Sequence, residues 1–376
     1  MVNTRRTPML RLSLRLLLML WLLSLACVAY PDTLQTTIIT DQLSYPWGMT
    51  FINDDQVLVT EKPGYIKKII LSNGMIKHIN GGPKVAQVGQ GGLLDIEKHP
   101  RFDENHLVYF SYSKKVNRGV TTAVARGELK GNKIIKLEDI LVTNAISHGG
   151  RHFGSRLAFD SNEMLYVTVG DRGDRSRAQR LASHAGKVLR IHDDGKIPRD
   201  NPFLSTMNVQ PEIYSYGHRN PQGLAFDRET KQLWLHEHGP KGGDEVNLLQ
   251  PGANYGWPVI TYGREYSGLP ITDETHREGM EQPVWKWVPS IAPSGLAVYR
   301  GEAFKSWNGD LLVGSLKFKL LAHLTMDGAQ VKREQRYLES LGERIRAVKV
   351  GPQGLLYLLT DSARGQLIKL TPKSDH

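Results

Sequence analysis

The feature of this sequence that most constrains its fold is a strand–turn–strand unit that recurs six times. Each copy has an apolar run, a turn rich in Asp, Asn or Gly, and a second apolar run. The copies begin near residues 48, 93, 157, 223, 295 and 346. Short apolar runs separated by such turns are typical of all-β proteins. The copies lie about 60 residues apart, compared with the ~40–50 residues of common propeller repeats, so long loops must connect some of the strands.

Several copies continue into a further apolar strand, for example at residues 65–70, 187–191 and 366–370. Radial repetition of four-stranded sheets is the arrangement by which a β-propeller avoids long open edges. We therefore predict an all-β fold: one six-bladed β-propeller of four-stranded antiparallel blades over residues 30–376, with no second domain. An eight-stranded sandwich or barrel is the alternative, and the number and regularity of the copies disfavour it.

Residues 1–29 have the features of a secretory signal peptide. They contain four arginines and no acidic residue, and residues 16–29 are almost entirely apolar. A basic start, a short apolar stretch and a small residue at the end fit a signal peptide, and the stretch is shorter than the ~20 residues of a membrane-spanning helix. We predict cleavage near Ala29 and a mature protein that is periplasmic or secreted. A lipoprotein acylated at Cys27 is the minor alternative, because Ser24 stands where an aliphatic residue is usual.

Charge and composition exclude several classes of protein. The formal net charge of +10 falls to +6 without the four leader arginines, and the basic residues form no run. The sequence therefore lacks the basic stripe of a nucleic-acid-binding protein. The predicted mature chain contains no cysteine, which excludes a cysteine nucleophile and a thiolate metal site. A dinucleotide-binding Gly-x-Gly-x-x-Gly, a P-loop, Gly-x-Ser-x-Gly and His-Glu-x-x-His are absent as well.

The glycine-rich stretch at residues 148–160 is the first candidate site. Three glycines surround His152, and glycine lets the backbone turn sharply and approach a ligand closely. The following apolar run, residues 164–169, ends in Gly170-Asp171, which can bring a carboxylate close to a site. A glycine-rich turn with a solvated histidine is the simpler interpretation of the same residues. Polar clusters at equivalent places in other copies favour the functional one.

Four cations occupy equivalent strand-and-loop positions in three of the copies. They are Arg219, Lys317, Arg344 and Arg346, and Gln90 and Asn220 lie in corresponding loops. The period-two spacing of Arg344 and Arg346 puts both on one face of a strand, and in a propeller such positions face one central funnel. Each side chain alone also fits a solvated or capping group. Because clustered like charges repel unless an anion lies between them, the set together predicts a bound polyanionic ligand or cofactor.

A second set of residues could bind a hard cation. Its members are Gly239 and Pro240, whose turn exposes backbone carbonyls, and the nearby Glu245 and Tyr255. Carboxylate and carbonyl oxygens are typical calcium ligands, although an acidic turn explains the same residues. The pair His236 and His238 is only a weak indication of metal, because no third ligand can be nominated. The aromatic loop at residues 251–288 fits either ligand contacts or a packed junction between blades.

Six motifs occur in order along the mature chain. They are Arg-His-Phe-Gly-Ser-Arg-Leu from Arg151, Gly-Lys-Val-Leu-Arg-Ile from Gly186, Gly-His-Arg-Asn-Pro-Gln-Gly-Leu-Ala-Phe from Gly217, Gly-Asp-Glu-Val-Asn-Leu from Gly243, Asn-Tyr-Gly-Trp-Pro from Asn254 and Leu-Tyr-Leu-Leu-Thr-Asp from Leu356. With them the chain resembles the soluble quinoprotein glucose/sorbosone dehydrogenases, and most of all their periplasmic aldose sugar dehydrogenase branch. The resemblance implies a six-bladed propeller that holds pyrroloquinoline quinone and Ca²⁺ and oxidises the anomeric hydroxyl of aldoses to lactones.

The resemblance also implies residue roles. His152 would be the general base that removes the anomeric hydroxyl proton before hydride transfer to the quinone, since imidazole has a pKa near working pH. Asp171 would orient His152, and Arg219 with the calcium would polarise the quinone carbonyl. The implied cofactor-binding residues are Gln90, Arg219, Asn220, Tyr266, Lys317, Arg344 and Arg346. The implied calcium ligands are the Gly239 and Pro240 carbonyls at the cofactor, and Glu245 and Tyr255 at a separate structural site.

Three departures from the distant glucose-oxidising branch concern the sugar pocket. Arg151 stands where that branch has an acidic residue beside the base, and Val288, next to Trp287, stands where it has an aromatic one. Its long insertion after the fourth blade is shortened here. We therefore expect broad aldose specificity, with a quinone or a redox protein as electron acceptor, in a monomer or homodimer. The alternatives are a calcium-dependent propeller lactonase, which would not require the cation set, and a non-catalytic sugar-binding propeller, which intact His152 and Asp171 disfavour.

Overall fold

The six repeats form six four-stranded antiparallel sheets, which confirms the predicted β-propeller. The structure is a computed structural model and describes residues 34–373. The predicted signal peptide, its cleavage site and Cys27 lie outside the described residues. The innermost strands of successive sheets contact one another around the ring, so that the sheets surround a central axis.

The strands follow one another blade by blade. Strand β1 (Leu34–Leu43) comes first and belongs to the last blade. The first blade contains β2 (Pro46–Asn53), β3 (Gln56–Glu61), β4 (Tyr65–Ile70) and β5 (Ile76–Ile79). The second contains β6 (Leu93–Lys98), β7 (Leu107–Val116), β8 (Gly119–Lys130) and β9 (Lys133–Val142). The third contains β10 (Leu157–Phe159), β11 (Leu165–Val169), β12 (Lys187–Ile191) and β13 (Ile213–Tyr216).

The remaining blades repeat this order. The fourth contains β14 (Pro221–Phe226), β15 (Leu233–Glu237), β16 (Asp244–Leu248) and β17 (Trp285–Trp287). The fifth contains β18 (Pro293–Val298), β19 (Leu311–Ser315), β20 (Leu321–Asp327) and β21 (Gln330–Tyr337). The sixth contains β22 (Ile345–Val350), β23 (Leu356–Thr360) and β24 (Gly365–Pro372), with β1 as its outer strand.

Helices are short and lie in the connections. One α-helix, α1 (Phe102–Asn105), joins β6 to β7. The 3₁₀ turns are Arg175–Gln179, Lys305–Trp307, Glu339–Leu341 and Pro352–Gly354. Within residues 34–373, no helix has the length and apolar character needed to cross a bilayer.

The sixth blade is completed by the beginning of the described chain. Strand β1 pairs antiparallel with β24 from Leu34 opposite Pro372 to Leu43 opposite Gly365. The repeat pattern did not predict this strand, because most of its side chains are exposed and it has no apolar run. The structure also shortens the predicted loop at residues 251–288, since β17 near its end is the outer strand of the fourth blade.

The Asp and Asn residues between paired strands make the turns. In the third blade the Asp160 carboxylate accepts the backbone N–H groups of Asn162 and Met164 at 2.8 and 2.9 Å. Asn53 and Asp227 accept a backbone N–H two residues further on in the first and fourth blades. Short polar side chains that bond the backbone in this way favour a tight turn, which explains why they recur at the same point of the repeat.

The hydrophobic core is divided among the blade junctions. Six clusters of buried residues each combine side chains from two neighbouring blades, and the last of them joins the sixth blade to the first through Leu43, Met49 and Leu359. Each blade therefore buries both of its faces against its neighbours. A seventh, smaller cluster contains Trp47, Leu94 and Phe153 and lies towards one end of the central axis.

The Arg156 side chain connects the blades at the central axis. Its guanidinium bonds to the Asp95 carboxylate and to the backbone carbonyls of Gln222, Ser294 and Arg346, and it lies 4.1 Å from the Trp47 ring centroid. Arg156 itself directly precedes β10 of the third blade. Its five partners belong to the other five blades, one to each. A single side chain therefore contacts all six blades.

Candidate active site

A polar cavity of about 350 Å³ opens where the innermost strands begin. Its wall includes four of the predicted residues and several others: Gln90, Asn220, Arg344 and Arg346, with Trp47, Lys62, Phe153, Gln222, His238 and Asp361. A second cavity of about 600 Å³ lies where the innermost strands end, and apolar strand residues form much of its wall. The smaller cavity is the candidate site, because the convergent amides and cations line it and pockets of this size hold small molecules.

His152 and Asp171 form a hydrogen-bonded pair beside this cavity. The Nδ1 atom of His152 lies 2.6 Å from Oδ1 of Asp171. The other ring nitrogen, Nε2, has no hydrogen-bond partner among residues 34–373, and the residue retains 9% of its exposure. Because the carboxylate can only accept, Nδ1 carries the proton and Nε2 is left as a proton acceptor. The two residues therefore have the arrangement of an oriented general base.

Burial sets the protonation states of this pair. Burial lowers the pKa of His152 below its ordinary value, even though Asp171 acts in the opposite direction. Burial by itself would raise the pKa of Asp171, but the hydrogen bonds from His152 and from the Gly173 N–H keep it below its ordinary value. At neutral pH the site therefore contains a neutral imidazole and an ionised carboxylate.

The backbone at His152 adopts an unusual conformation that its neighbours hold in place. Its φ of 55° is in the left-handed region, which costs a non-glycine residue of order 1 kcal/mol. The Gln90 side chain accepts the His152 N–H at 2.8 Å. A Cβ atom at Gly170 would lie 2.3 Å from the His152 carbonyl oxygen, so only glycine allows the end of β11 to approach His152 so closely. Gln90, predicted to bind cofactor, therefore also fixes the backbone of His152.

The cations at the cavity are paired with a carboxylate that the sequence interpretation missed. Oδ2 of Asp361 accepts from NH2 of Arg344 at 2.7 Å and from NH2 of Arg346 at 2.9 Å. Burial would raise the pKa of Asp361, and the two guanidiniums hold it below its ordinary value. Repulsion between these arginines therefore does not by itself require a bound anion. However, Nε of Arg346 is buried without a partner, and Lys62 adds a third cation to the wall.

Arg219 and Asn220 connect the third and fourth blades at the cavity. NH1 of Arg219 donates to the carbonyls of His238 and Gly239, both at 3.1 Å. Oδ1 of Asn220 accepts the Gly154 N–H at 3.2 Å. Both side chains are buried, with 7% and 2% of their exposure left. Arg219 is thus close to Asp171, whose N–H donates to the Arg219 carbonyl at 2.8 Å.

Three predicted cofactor residues lie outside the cavity wall: Arg219, which lines a small neighbouring cavity, and the exposed Tyr266 and Lys317. Tyr266 retains 69% of its exposure and lies on the loop between Arg264 and Pro270, which form an isolated bridge. Lys317 is exposed, and its Nζ lies 5.2 Å from the centre of the Phe318 ring. Their predicted cofactor contacts would require both side chains to turn towards the cavity.

Three of the predicted calcium residues surround one small cavity of about 10 Å³. Gly239, Glu245 and Tyr255 line it together with Glu237. Burial and the neighbouring Glu237 carboxylate raise the pKa of Glu245 to about 8. Two adjacent carboxylates and a carbonyl are an oxygen donor set that suits Ca²⁺. The Tyr255 hydroxyl donates to the Leu248 carbonyl at 2.8 Å, so it is already in use.

Side-chain ligands alone do not make a metal site in the described part of the chain. No group of three or more His, Cys, Asp or Glu side chains among residues 34–373 is arranged to hold a metal ion. His238, which the sequence marked as a weak candidate, has its Nε2 at 2.6 Å from the Pro293 carbonyl. A cation in this region would need backbone carbonyls among its ligands, as the Gly239 and Pro240 prediction assumes.

The glucose/sorbosone dehydrogenase family model matches residues 43–369. The chain belongs to the glucose/sorbosone dehydrogenase family. It is 39% identical over 358 residues to the aldose sugar dehydrogenase YliI of Escherichia coli, covering 94% of this chain and 96% of that protein. The predicted resemblance is therefore confirmed, and the chain is assigned to a family of oxidoreductases.

Solved structures of sugar dehydrogenases share this fold. The apo form of the soluble aldose sugar dehydrogenase from E. coli superposes with a TM-score of 0.88 at 38% identity, covering 91% of this chain and 100% of that one. The PQQ-bound aldose sugar dehydrogenase of Streptomyces coelicolor superposes with a TM-score of 0.73 at 25% identity, covering 91% and 99%. The family's blades and funnel are thus those described above.

Two residues at the site were not singled out from the sequence, although both belong to motifs that carried the family resemblance. Asp361 ends the motif that begins at Leu356, directly after β23, and Trp257 belongs to Asn-Tyr-Gly-Trp-Pro. The Nε1 atom of Trp257 donates to Oδ2 of Asp171 at 2.9 Å. The motifs themselves were the available indication. The contacts of Asp361 with a paired strand of its own blade, and of Trp257 with the neighbouring blade, cannot be found from spacing along the chain.

Proposed function

We propose that this protein is a periplasmic quinoprotein dehydrogenase that oxidises aldose sugars at the anomeric hydroxyl. The observation that carries the proposal is the His152–Asp171 pair, with a free Nε2 atom beside a cavity lined by amides and guanidiniums. Family membership supports the reaction class, and the PQQ-bound relative supports the choice of cofactor. The periplasmic location rests on the predicted signal peptide.

The cavity residues suit pyrroloquinoline quinone, which carries three carboxylates. The unpartnered Nε of Arg346 and the neighbouring Arg344 and Lys62 would bind carboxylates, and the side-chain amide of Asn220 would bind a ring oxygen. Charge-assisted hydrogen bonds of this kind are the strong ones. When bound, the quinone accepts the hydride from the anomeric carbon, so that loss of this hydride and of the hydroxyl proton converts the sugar to its lactone.

In this proposal His152 holds the proton that leaves the sugar. Its neutral state and free Nε2 let it accept the anomeric hydroxyl proton, and Asp171 stabilises the imidazolium that forms. Arg219, whose guanidinium already bonds two carbonyls, adds positive charge on the same side of the site. Calcium would be held by the carbonyls of Gly239 and Pro240, and a second ion by Glu245.

The decisive experiment is to reconstitute the cofactor-free protein with pyrroloquinoline quinone and Ca²⁺ and to measure dye reduction by glucose and a panel of other aldoses. We expect reduction with several aldoses, and an absorption spectrum of bound quinone. The His152→Ala variant should retain that spectrum and lose turnover. Tight cofactor binding without reduction by any aldose would contradict the dehydrogenase proposal.

The cation set separates this proposal from a calcium-dependent lactonase. A lactonase would hydrolyse lactones without a quinone and would not depend on Arg346. We therefore expect Arg346→Met to lower quinone affinity in a binding titration by about tenfold or more, the loss of one hydrogen bond to a charged group. Lactone hydrolysis that is independent of quinone and unaffected by Arg346→Met would instead support the hydrolase.

A further inference from the structure

We propose that Trp257 is a positioning residue that controls the basicity and orientation of His152 through Asp171. This inference deepens the proposed function and rests on it for the role of His152 as the base. It concerns the loop between β16 and β17, which the sequence left open as either a ligand contact or a blade junction. The geometry assigns this loop a role in the site itself.

The Asp171 carboxylate has a donor on each oxygen. Oδ1 accepts from Nδ1 of His152 at 2.6 Å and from the Gly173 N–H at 2.7 Å. Among the donors of residues 34–373, Oδ2 accepts only the Trp257 indole N–H, at 2.9 Å. The carboxylate retains 1% of its exposure, so water cannot readily replace a lost donor. The indole therefore fixes the rotation of the carboxylate about its Cβ–Cγ bond, and with it the direction in which Oδ1 faces the imidazole.

Trp257 is itself held rigidly, although it comes from a different blade than Asp171. Its backbone N–H donates to the Gly217 carbonyl at 2.9 Å, and its backbone carbonyl accepts from Nε2 of Gln179 at 2.8 Å. Nε2 of Gln179 also donates to Oδ1 of Asn254 at 3.0 Å, and Nδ2 of Asn254 donates to Oε1 of Gln179 at 2.8 Å. These contacts attach the loop of the fourth blade to the end of the third blade, where the 3₁₀ turn after Asp171 lies.

The hydrogen bond from the indole N–H should lower the basicity of the Asp171 carboxylate and fix its orientation. A hydrogen bond to the carboxylate withdraws charge from it, so the carboxylate stabilises a protonated His152 less strongly. Removal of this donor should therefore raise the pKa of His152. The other charged or titratable groups near the imidazole are Arg151, Arg219 and His238. The Arg219 guanidinium lies 5.5 Å from the centre of the Trp257 ring, and Trp257→Phe leaves an aromatic ring at that contact while it removes the N–H. A change in His152 upon loss of the indole N–H would thus be transmitted by Asp171.

The test compares Trp257→Phe with Trp285→Phe. Both substitutions replace an indole of the fourth blade by a smaller phenyl ring. Nε1 of Trp285 is buried without a hydrogen-bond partner, so the control loses no hydrogen bond. With the reconstituted enzyme we expect Trp257→Phe to lower kcat about tenfold, as loss of one charged hydrogen bond would, with little change in the KM for aldose. The acidic limb of the kcat/KM profile should move up by roughly half a pH unit or more. Trp285→Phe should do neither.

A second readout does not depend on the cofactor. Histidine labelled with ¹⁵N in the cofactor-free protein reports the tautomer and the pKa of His152 by NMR, with His152→Gln used for assignment. We expect the wild-type ring to carry its proton on Nδ1, and the pKa to rise in Trp257→Phe and not in Trp285→Phe. This result stands even if no aldose is oxidised, so failure of the proposed function and failure of this inference are distinguishable.

Two further measurements test the same link, and the first of them needs no substitution at Trp257. In the wild-type protein the Trp257 Nε1–H resonance should exchange slowly and should follow the same titration as His152. In an Asp171→Asn background, Trp257→Phe should cause no additional loss of kcat, because the two residues act as one unit. An unshifted His152 pKa in a folded Trp257→Phe protein, additive losses in the double variant, or equal effects of the two tryptophan variants would each overturn the inference.

Discussion

At the scale of single residues, the protonation state of His152 decides when the proposed base can act. Burial lowers its pKa below 6.5, so the imidazole stays neutral and able to accept a proton at pH values below that at which an exposed histidine becomes protonated. We therefore expect kcat/KM to fall only as the pH drops below about 6.5. The acidic limb of the pH profile should follow the protonation of a single group. The measurement is the pH profile of aldose oxidation by the reconstituted enzyme.

A second prediction at the scale of residues concerns the activity of the Asp171→Asn variant. An asparagine amide can donate to Nδ1 and so favours the wrong tautomer of His152, and kcat should fall by roughly 10²–10⁴. The acidic limb should move to lower pH, because the carboxylate that stabilises the imidazolium is gone. Asp174→Asn, which removes an exposed carboxylate three residues further on, is the control. An acidic limb that stays in place in Asp171→Asn would contradict the assignment.

Local sequence predicted the types of residue at the site better than their partners. His152, Asp171 and Asn220 could be found because glycines and strand ends mark them. Asp361 could not be assigned to Arg344, because the two meet only when β22 and β23 pair. Trp257 could not be assigned to Asp171, because the two come from neighbouring blades. The cations were consequently taken to require an external anion, although one carboxylate of the chain already binds two of them. The remaining case for an anion rests on the unpartnered Nε of Arg346.

At the scale of the elements, the innermost strands were predictable and the closing strand was not. An inner strand is buried on both faces and forms a continuous apolar run, as in Leu157–Phe159. Strand β1 is an outer strand, and only Leu34, Thr40 and Leu43 along it are buried. Its place is set by pairing with β24 at the other end of the chain. No periodic signal within a segment can report a partner more than three hundred residues away.

The closing strand gives a prediction at this scale. Leu43 is 2% exposed and packs in the cluster between the sixth and first blades, whereas Ile38 on the same strand is 53% exposed. Leu43→Ala should lower the free energy of unfolding by about 2–5 kcal/mol, and Ile38→Ala by less than about 0.5 kcal/mol. Urea denaturation measures both. Similar losses from the two variants would mean that β1 contributes by strand pairing alone, and not by closing the core of the ring.

At the scale of the whole molecule, Arg156 is the side chain that joins blades all round the ring near its axis, where Arg346–Gln222 and Lys349–Glu97 also connect non-adjacent blades. Neighbouring blades share apolar clusters, but the Arg156 guanidinium contacts residues of all the other five blades. Three of its partners, Trp47, Gln222 and Arg346, also line the proposed cofactor cavity. Closure of the ring and the shape of the site therefore depend on the same buried charge.

Arg156→Met tests this dependence, because it keeps an unbranched, largely aliphatic side chain and removes the charge. The Asp95 carboxylate, 6% exposed, would remain buried without its partner, and loss of one member of a buried ion pair typically costs about 3–5 kcal/mol. Adding Asp95→Asn should recover part of this loss, since the amide still accepts the Leu157 N–H and leaves no unpaired charge. Arg101→Met, which removes an exposed ion pair with Glu163, should change stability little. If Arg156→Met and Arg101→Met had equal midpoints in urea, the blades would be held by their apolar junctions alone.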